Sequence, residues 1–270
     1  VGLMDELLAD LRAESAELDA MIPGLDPEAW ELPTPAEGWA VRDQISHLAW
    51  FDDAAVTAAT DPEGFRAALP ALLARGDSMV DELAVAARDL APARVYDWFR
   101  TSRARSLEVF AGLDAKARLP WYGPDMSVAS FVTARLMETW AHGQDVADAL
   151  GVVRVPTARL RHVATLGVRA MPYGFAMRAL TPPADPVRVE LTMPDGSPWA
   201  AGPAEAADVV RGPALDFCLL VVQRRHLDDT SLEVKGETAR AWMRVAQAFA
   251  GAPGKGRAPL GSGAYQGNTP

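Results

Sequence analysis

The chain has 270 residues, 49% of them apolar, with 26 Lys and Arg against 36 Asp and Glu for a formal charge of −10. That length buries one large core or two ordinary ones, and no run of Lys and Arg could neutralise successive phosphates, which argues against a nucleic-acid partner. The single cysteine, Cys218, lies in the apolar run Phe217 to Val222; it excludes an internal disulfide and is expected to be a buried structural thiol rather than a nucleophile, in keeping with a reducing compartment.

The segment Met4 to Asp10 is acidic and lacks the positive and apolar regions of a signal peptide. No uninterrupted apolar stretch approaches the roughly 20 residues of a membrane span. A soluble, cytoplasmic protein with no membrane partner is expected.

Leu3, Leu7, Leu11, Leu18 and Ile22 fall at helical spacings with Asp and Glu between them, which predicts a helix over 3–22 closed by Pro23-Gly24. Asp26 to Gly38 carries three prolines and reads as a connection into a second helix from about Ala40 to Ala59, with His47 near its middle. Residues 62–90 predict one or two helices interrupted near Pro70 and Gly76, and Pro92 opens another running to about Leu113. The clearest helix spans 127–150, with Ser127 as N-cap and Gly151 just past its end; it carries Glu138 and His142. A further helix is predicted from about Pro156 to Met171.

The proline-rich stretch Thr181 to Pro186 places a domain boundary, giving a helical domain over 1–180 and a small α+β domain over 186–250. In the second domain Val187 to Met193 alternates with period two, and Pro194-Asp195-Gly196-Ser197 turns it into a strand around Trp199. Ala207 to Val210 and Ser231 to Val234 are further strand candidates, with helices over 214–222 and 237–250. Residues 251–270, rich in Gly and Pro, are expected to be mobile or draped on the surface. No internal repeat is evident.

Glu138 and His142, four apart on one helix, offer an oxygen and a nitrogen ligand on one face. In an antiparallel bundle His47 could supply a third, and two His with one Glu leave open positions on a catalytic Zn²⁺. Spacing alone does not establish this, because mid-helix histidines are commonly core or surface residues and Glu/His pairs at this spacing are common helix neighbours. Asp43 and Asp145 are candidate acceptors for the imidazoles, or else solvated charges. Trp39, Trp50 and Trp140 read most simply as core, and His162 and His226 receive no role.

Taken together, the residues Gly38-Trp39-Ala40-Val41-Arg42-Asp43-Gln44-Ile45-Ser46-His47-Leu48-Ala49, and downstream Glu138-Thr139-Trp140-Ala141-His142-Gly143-Gln144-Asp145-Val146-Ala147-Asp148-Ala149-Leu150-Gly151, say more. They closely resemble the two metal-binding motifs of the mycothiol-dependent maleylpyruvate isomerase family, within the DinB/YfiT-like superfamily. The resemblance extends over most of 1–250 and implies a DinB-like four-helix bundle followed by a domain similar to sterol carrier proteins. It implies that His47, Glu138 and His142 bind a divalent metal, Zn or Ni, and that mycothiol is the thiol cosubstrate. It further implies an arginine from the second domain at the active site, for which Arg224 and Arg225 are the candidates.

Two departures accompany the resemblance. Ala40 stands where the family has Ser or Thr, which removes a helix N-cap at a cost of about 1 kcal/mol. The run Thr60 to Leu90 is longer than the family requires, which points to a subfamily with another substrate.

The leading expectation is a metal-dependent enzyme that uses a small thiol for isomerisation or thiol transfer on a small electrophile. The thiolate would add to an activated double bond, permit rotation and leave. The alternatives are a hydrolase using metal-bound hydroxide, distinguished by activity without thiol, and a non-catalytic protein that binds a metal and an apolar ligand. Oligomeric state is left open between monomer and homodimer.

Overall fold

The computed structural model describes residues 2–262. The fold is α+β: a helical N-terminal part followed by a sheet-containing part. Among the described residues no helix is long and apolar enough to cross a membrane.

The chain divides into two compact units between Arg154 and Val155. In the first, α1 (Leu3–Met21), α2 (Pro27–Trp30), α3 (Val41–Thr60), α4 (Pro62–Leu73), α5 (Met79–Ala87), α6 (Pro92–Ala111) and α7 (Val128–Leu150) follow in order, with a short hairpin of β1 (Arg118–Leu119) and β2 (Met126–Ser127) before α7. Helices α1, α3, α6 and α7 form a four-helix bundle, α3 packing on α6 and α7, and α1 on α7 and α6.

Of the stripe foreseen on α1, Leu7, Leu11, Leu18 and Ile22 are within 3% of full burial, whereas Leu3 at the first turn is 59% exposed. One apolar core joins Leu18, Trp30, Ile45, Leu48, Phe99 and Val146. The ends of α7 form as its sequence dictates: Ser127 Oγ accepts from the Ser130 amide at 3.2 Å, and Gly151 takes the left-handed conformation at φ 67°.

At the start of α3, Ala40 has no side-chain oxygen to cap with, but half of a capping box survives. Its amide donates to Asp43 Oδ2 at 2.8 Å. The region 62–90 holds α4, which runs through Pro70, then a single 3₁₀ turn at Gly76–Ser78, and α5.

The second unit contains α8 (Leu160–Arg169), α9 (Met171–Ala176), β3 (Val187–Thr192), β4 (Pro198–Ala201), β5 (Asp208–Pro213), α10 (Ala214–Val221), β6 (Glu233–Lys235) and α11 (Glu237–Val245). Its mixed sheet has the order β4-β3-β5-β6; β3 pairs antiparallel with β4 and parallel with β5. The β3–β4 turn contains Gly196 at φ 83°. Val187, Val189 and Leu191 point to the buried face, which α10 and α11 cover.

Two placements differ from the sequence expectation. The division between units falls at 154, not near 181–186, because α8 packs against α10. Helix α11 stops at Val245, where the backbone turns extended so that the Ala248 amide can reach the Val221 carbonyl at 2.8 Å. Of the expected tail, residues 251–262 lie on the second unit: the Gly254 amide donates to Gln247 Oε1 at 2.9 Å and the Leu260 amide to the Asp229 carboxylate. Residues 263–270 lie outside the described residues.

Candidate metal centre

Helix α3 carries His47 and helix α7 carries Glu138 and His142, and bundle packing brings the three together. One ligand atom from each lies within 4.8 Å of the others. His142 Nε2 is 3.1 Å and His47 Nε2 3.7 Å from the same oxygen, Glu138 Oε2. The two imidazole side chains are each 11% exposed and Glu138 19%. The set is therefore sunk in the bundle but open on one side.

The tautomer of His142 follows from its neighbours. Thr34 Oγ1 donates to the Trp39 carbonyl at 2.9 Å, so it must accept from Gln44 Nε2, also at 2.9 Å. Gln44 Oε1 then faces His142 Nδ1 at 2.5 Å and can only accept, so Nδ1 carries the proton. In a neutral ring Nε2 would then be a bare lone pair aimed at a carboxylate oxygen. Two acceptors at 3.1 Å need a positive charge between them, either a proton or a metal ion.

The electrostatics agree. Burial, together with the neighbouring His142, lowers the pKa of His47 to about 4, so its ring is a neutral donor at ordinary pH. Burial alone would raise the Glu138 carboxyl, but hydrogen bonds from His142 and His47 outweigh it and hold the group well below the usual carboxylate range. Two imidazole nitrogens and a carboxylate match the donor chemistry of Zn²⁺ or Ni²⁺, so the residues present fit a divalent ion.

Aromatic rings wall the centre. Trp39 stacks on His142 at 6.0 Å and tilts against His47 at 5.3 Å, and Phe51 lies 4.6 Å from His47. Beyond Phe51 come Tyr122 and Trp121, with Phe65 of α4 stacked on Trp121 at 5.7 Å. Trp140 is core, but Trp39 is not: it is only partly buried, and its Nε1–H donates to Asp81 of α5 at 2.8 Å. Arg88, just past α5, holds the Gly38 carbonyl and the Asp43 carboxylate, each at 2.8 Å. The long 60–90 segment thus shapes one wall of the centre.

Of the acceptors proposed for the imidazoles, Asp43 is neither that nor solvated. It is buried and committed to the Ala40 amide and Arg88. Asp145 is fully buried. The orienting residue is Gln44, three residues before His47 and on the same helical face; its place in the Gly38-to-Ala49 motif was the available signal. Trp121 and Tyr122 come from the β1–β2 loop, whose sequence carries no periodic signal.

A buried ionic group underlies the centre. Asp52 of α3, fully buried, accepts from Arg103 Nε of α6 at 2.7 Å and from Arg135 Nε of α7 at 3.1 Å. Arg103 Nη1 also donates to Ser15 of α1.

The other expected residues lie in the second unit. Arg224 and Arg225 follow α10, after Gln223 with its positive φ of 59°; their Nη1 groups donate to the carbonyls of Val222 and Arg224. Cys218 is fully buried, and burial raises its thiol pKa far above the ordinary value, as expected for structure rather than nucleophile.

Comparison with known proteins places the chain. Residues 11–147 match the family model described as mycothiol maleylpyruvate isomerase N-terminal domain, and residues 183–234 match one described as wyosine base formation. Uncharacterized proteins from two strains of Mycobacterium tuberculosis are 49% identical over 250 residues, 93% of this chain and 97% of theirs. The crystal structure of the mycothiol-dependent maleylpyruvate isomerase has the same fold, with a TM-score of 0.58 at 16% identity over 83% of this chain and 90% of that one. A histidine-to-alanine mutant of that enzyme gives 0.59 at 17% identity over the same shares. With His47, Glu138 and His142 all inside the matched span, the chain belongs to the mycothiol maleylpyruvate isomerase N-terminal domain family.

Proposed function

We propose that this protein is a divalent-metal-dependent enzyme that uses a low-molecular-weight thiol, mycothiol, for isomerisation or thiol transfer on a small electrophilic substrate. The observation that carries this reading is the contact between His142 Nε2 and Glu138 Oε2, two acceptors at 3.1 Å with His47 Nε2 beside them and His142 Nδ1 already committed to Gln44. Such an arrangement calls for a positive charge between the two atoms, and a divalent ion would supply it. The mycothiol dependence of the structural relative supports a thiol as the partner.

In this reading His47, Glu138 and His142 hold the ion, which is Zn²⁺ or Ni²⁺ by ligand type. Bound there, the ion supplies the acidity that makes a thiol of ordinary pKa near 8.5 a thiolate at neutral pH. Gln44 keeps His142 in the tautomer that presents Nε2. Trp39 and Phe51 flank the imidazoles and limit the approach of water. Glu138, ionised throughout the working range, offsets part of the ion's charge and leaves a net positive centre that favours an anionic sulfur.

Elemental analysis of purified protein, with thiol titration of the loaded form, tests the reading. Wild type is expected to hold about one ion per chain, with His47→Ala and His142→Ala losing it, and with turnover of electrophiles requiring thiol. Wild type that takes up no ion, or variants that retain it in full, would falsify the metal centre; turnover without thiol would instead favour a hydrolase.

A further inference from the structure

Arg135 holds a polar atom without a partner. Its side chain is 4% exposed, its Nε donates to Asp52, and its Nη2 is buried with no hydrogen-bond acceptor. Leaving a buried guanidinium donor unmatched is costly, and native structures match such groups with a side chain, a water or a ligand. The position is informative. Arg135 precedes Glu138 by three residues on α7, so the two share a face, and Asp52 lies five residues beyond His47 on α3.

The local charge points the same way. Asp52 is shared between Arg103 and Arg135, so one carboxylate faces two guanidinium groups. One positive charge in the buried trio is left over. Arg135 stands one helical turn before Glu138, on the face of α7 that carries two of the three candidate ligands.

We infer that Arg135 is the anion-recognising residue of this centre, its Nη2 donating to a carboxylate on the small molecule that binds beside His47, Glu138 and His142. Asp52 acts on it as a positioning residue, fixing the guanidinium through Nε and leaving the outer edge of the fork for the ligand. The inference rests on the metal reading above for the location of the ligand. The donor itself is independent of any metal.

The test uses Co²⁺-loaded protein and ω-mercaptocarboxylates of two, three and four carbons, each against the neutral mercaptoalcohol of the same length. The sulfur-to-cobalt charge-transfer band reports binding. In wild type at least one acid is expected to bind about tenfold or more tighter than its alcohol, as one charge-assisted hydrogen bond in a buried site warrants. Arg135→Gln should bring the acids to the level of the alcohols while Co²⁺ stoichiometry and alcohol binding stay unchanged. Arg135→Lys, which keeps the charge but not the fork, should fall between them.

Equal affinity for acid and alcohol at every length in wild type overturns the inference without recourse to any variant. So does a preference that survives Arg135→Gln. Failure of Co²⁺ to bind wild type sinks the metal reading instead, and calorimetry with propionate on the metal-free protein then decides the role of Arg135. Propionate binding lost in Arg135→Gln or Arg135→Lys supports it, and binding that is absent from wild type or unaltered by substitution overturns it.

Discussion

Gln44 Oε1 accepts a 2.5 Å hydrogen bond from His142 Nδ1, and the same amide donates through Nε2 to Thr34, whose hydroxyl is fixed by the Trp39 carbonyl. One polar chain therefore runs from the loop before α3, through α3, to the ligand face of α7. It sets which nitrogen of His142 carries the proton and which one faces Glu138.

Gln44→Leu removes that acceptor and leaves His142 free to flip or change tautomer. Metal affinity is expected to fall about 10- to 100-fold, the usual consequence of losing an outer partner of a ligating histidine. Competition against a chromophoric chelator measures it. Unchanged affinity with an unchanged fold would show that Gln44 does not orient the ligand.

Asp52→Asn leaves Arg103 and Arg135 in the bundle core without their shared anion. Both guanidinium groups are at most 5% exposed, so water cannot replace it. Breaking a buried pair by removing one partner typically costs about 3–5 kcal/mol, and a loss in that range is expected in urea unfolding of the variant. Asp53, one residue along and bonded to Trp98 Nε1 at the half-buried rim, gives the contrast: Asp53→Asn should cost about 1 kcal/mol or less. Equal effects at the two positions would mean that the buried ionic group is not a structural keystone.

Periodic features of the bundle were legible in the sequence. The Leu7-Leu11-Leu18 stripe, the Ser127 and Gly151 caps and the His47, Glu138 and His142 positions all express local rules, of helical period, capping and four-residue spacing. What escaped was non-local. Whether Asp43 faces an imidazole or an arginine depends on Arg88, 45 residues away, and Trp39 leaves the core because Asp81 captures its indole N–H. The unit boundary was misplaced for the same reason: a proline cluster marks a break in chain direction, while membership of a core is decided by which helix covers the apolar face of α8.

Gly174 in α9 is a second-unit position whose lack of a side chain is structural. A Cβ there would stand 2.5 Å from the Val245 carbonyl oxygen, a backbone atom at the end of α11 that no rotamer change can move. Gly174→Ala gains helix propensity of about 1 kcal/mol but must push the two helices apart, and a net loss of about 1–3 kcal/mol is expected. Thermal unfolding of the metal-free and metal-loaded forms reads it; a variant more stable than wild type would mean that α9 and α11 shift apart freely.

Arg224 and Arg225 separate two roles that the family resemblance leaves combined. They follow Gln223, held at a positive φ of 59°, a conformation non-glycine residues adopt only under constraint from their surroundings. The Gln223 side chain supplies that constraint, donating to the Ala246 carbonyl at 3.0 Å and accepting from the Gly256 amide at 3.2 Å. The backbone that presents the two arginines is thus tied down from both sides, as a residue with a fixed task requires. If one of them binds substrate, its alanine variant should lose about 100-fold or more in kcat/KM, from the loss of charge-assisted hydrogen bonds to an anion. Metal content and unfolding midpoint should stay at wild-type values, and the other variant should remain within a few-fold of wild type in activity. Two variants with full activity would remove the second unit from the reaction and leave anion recognition to the bundle alone.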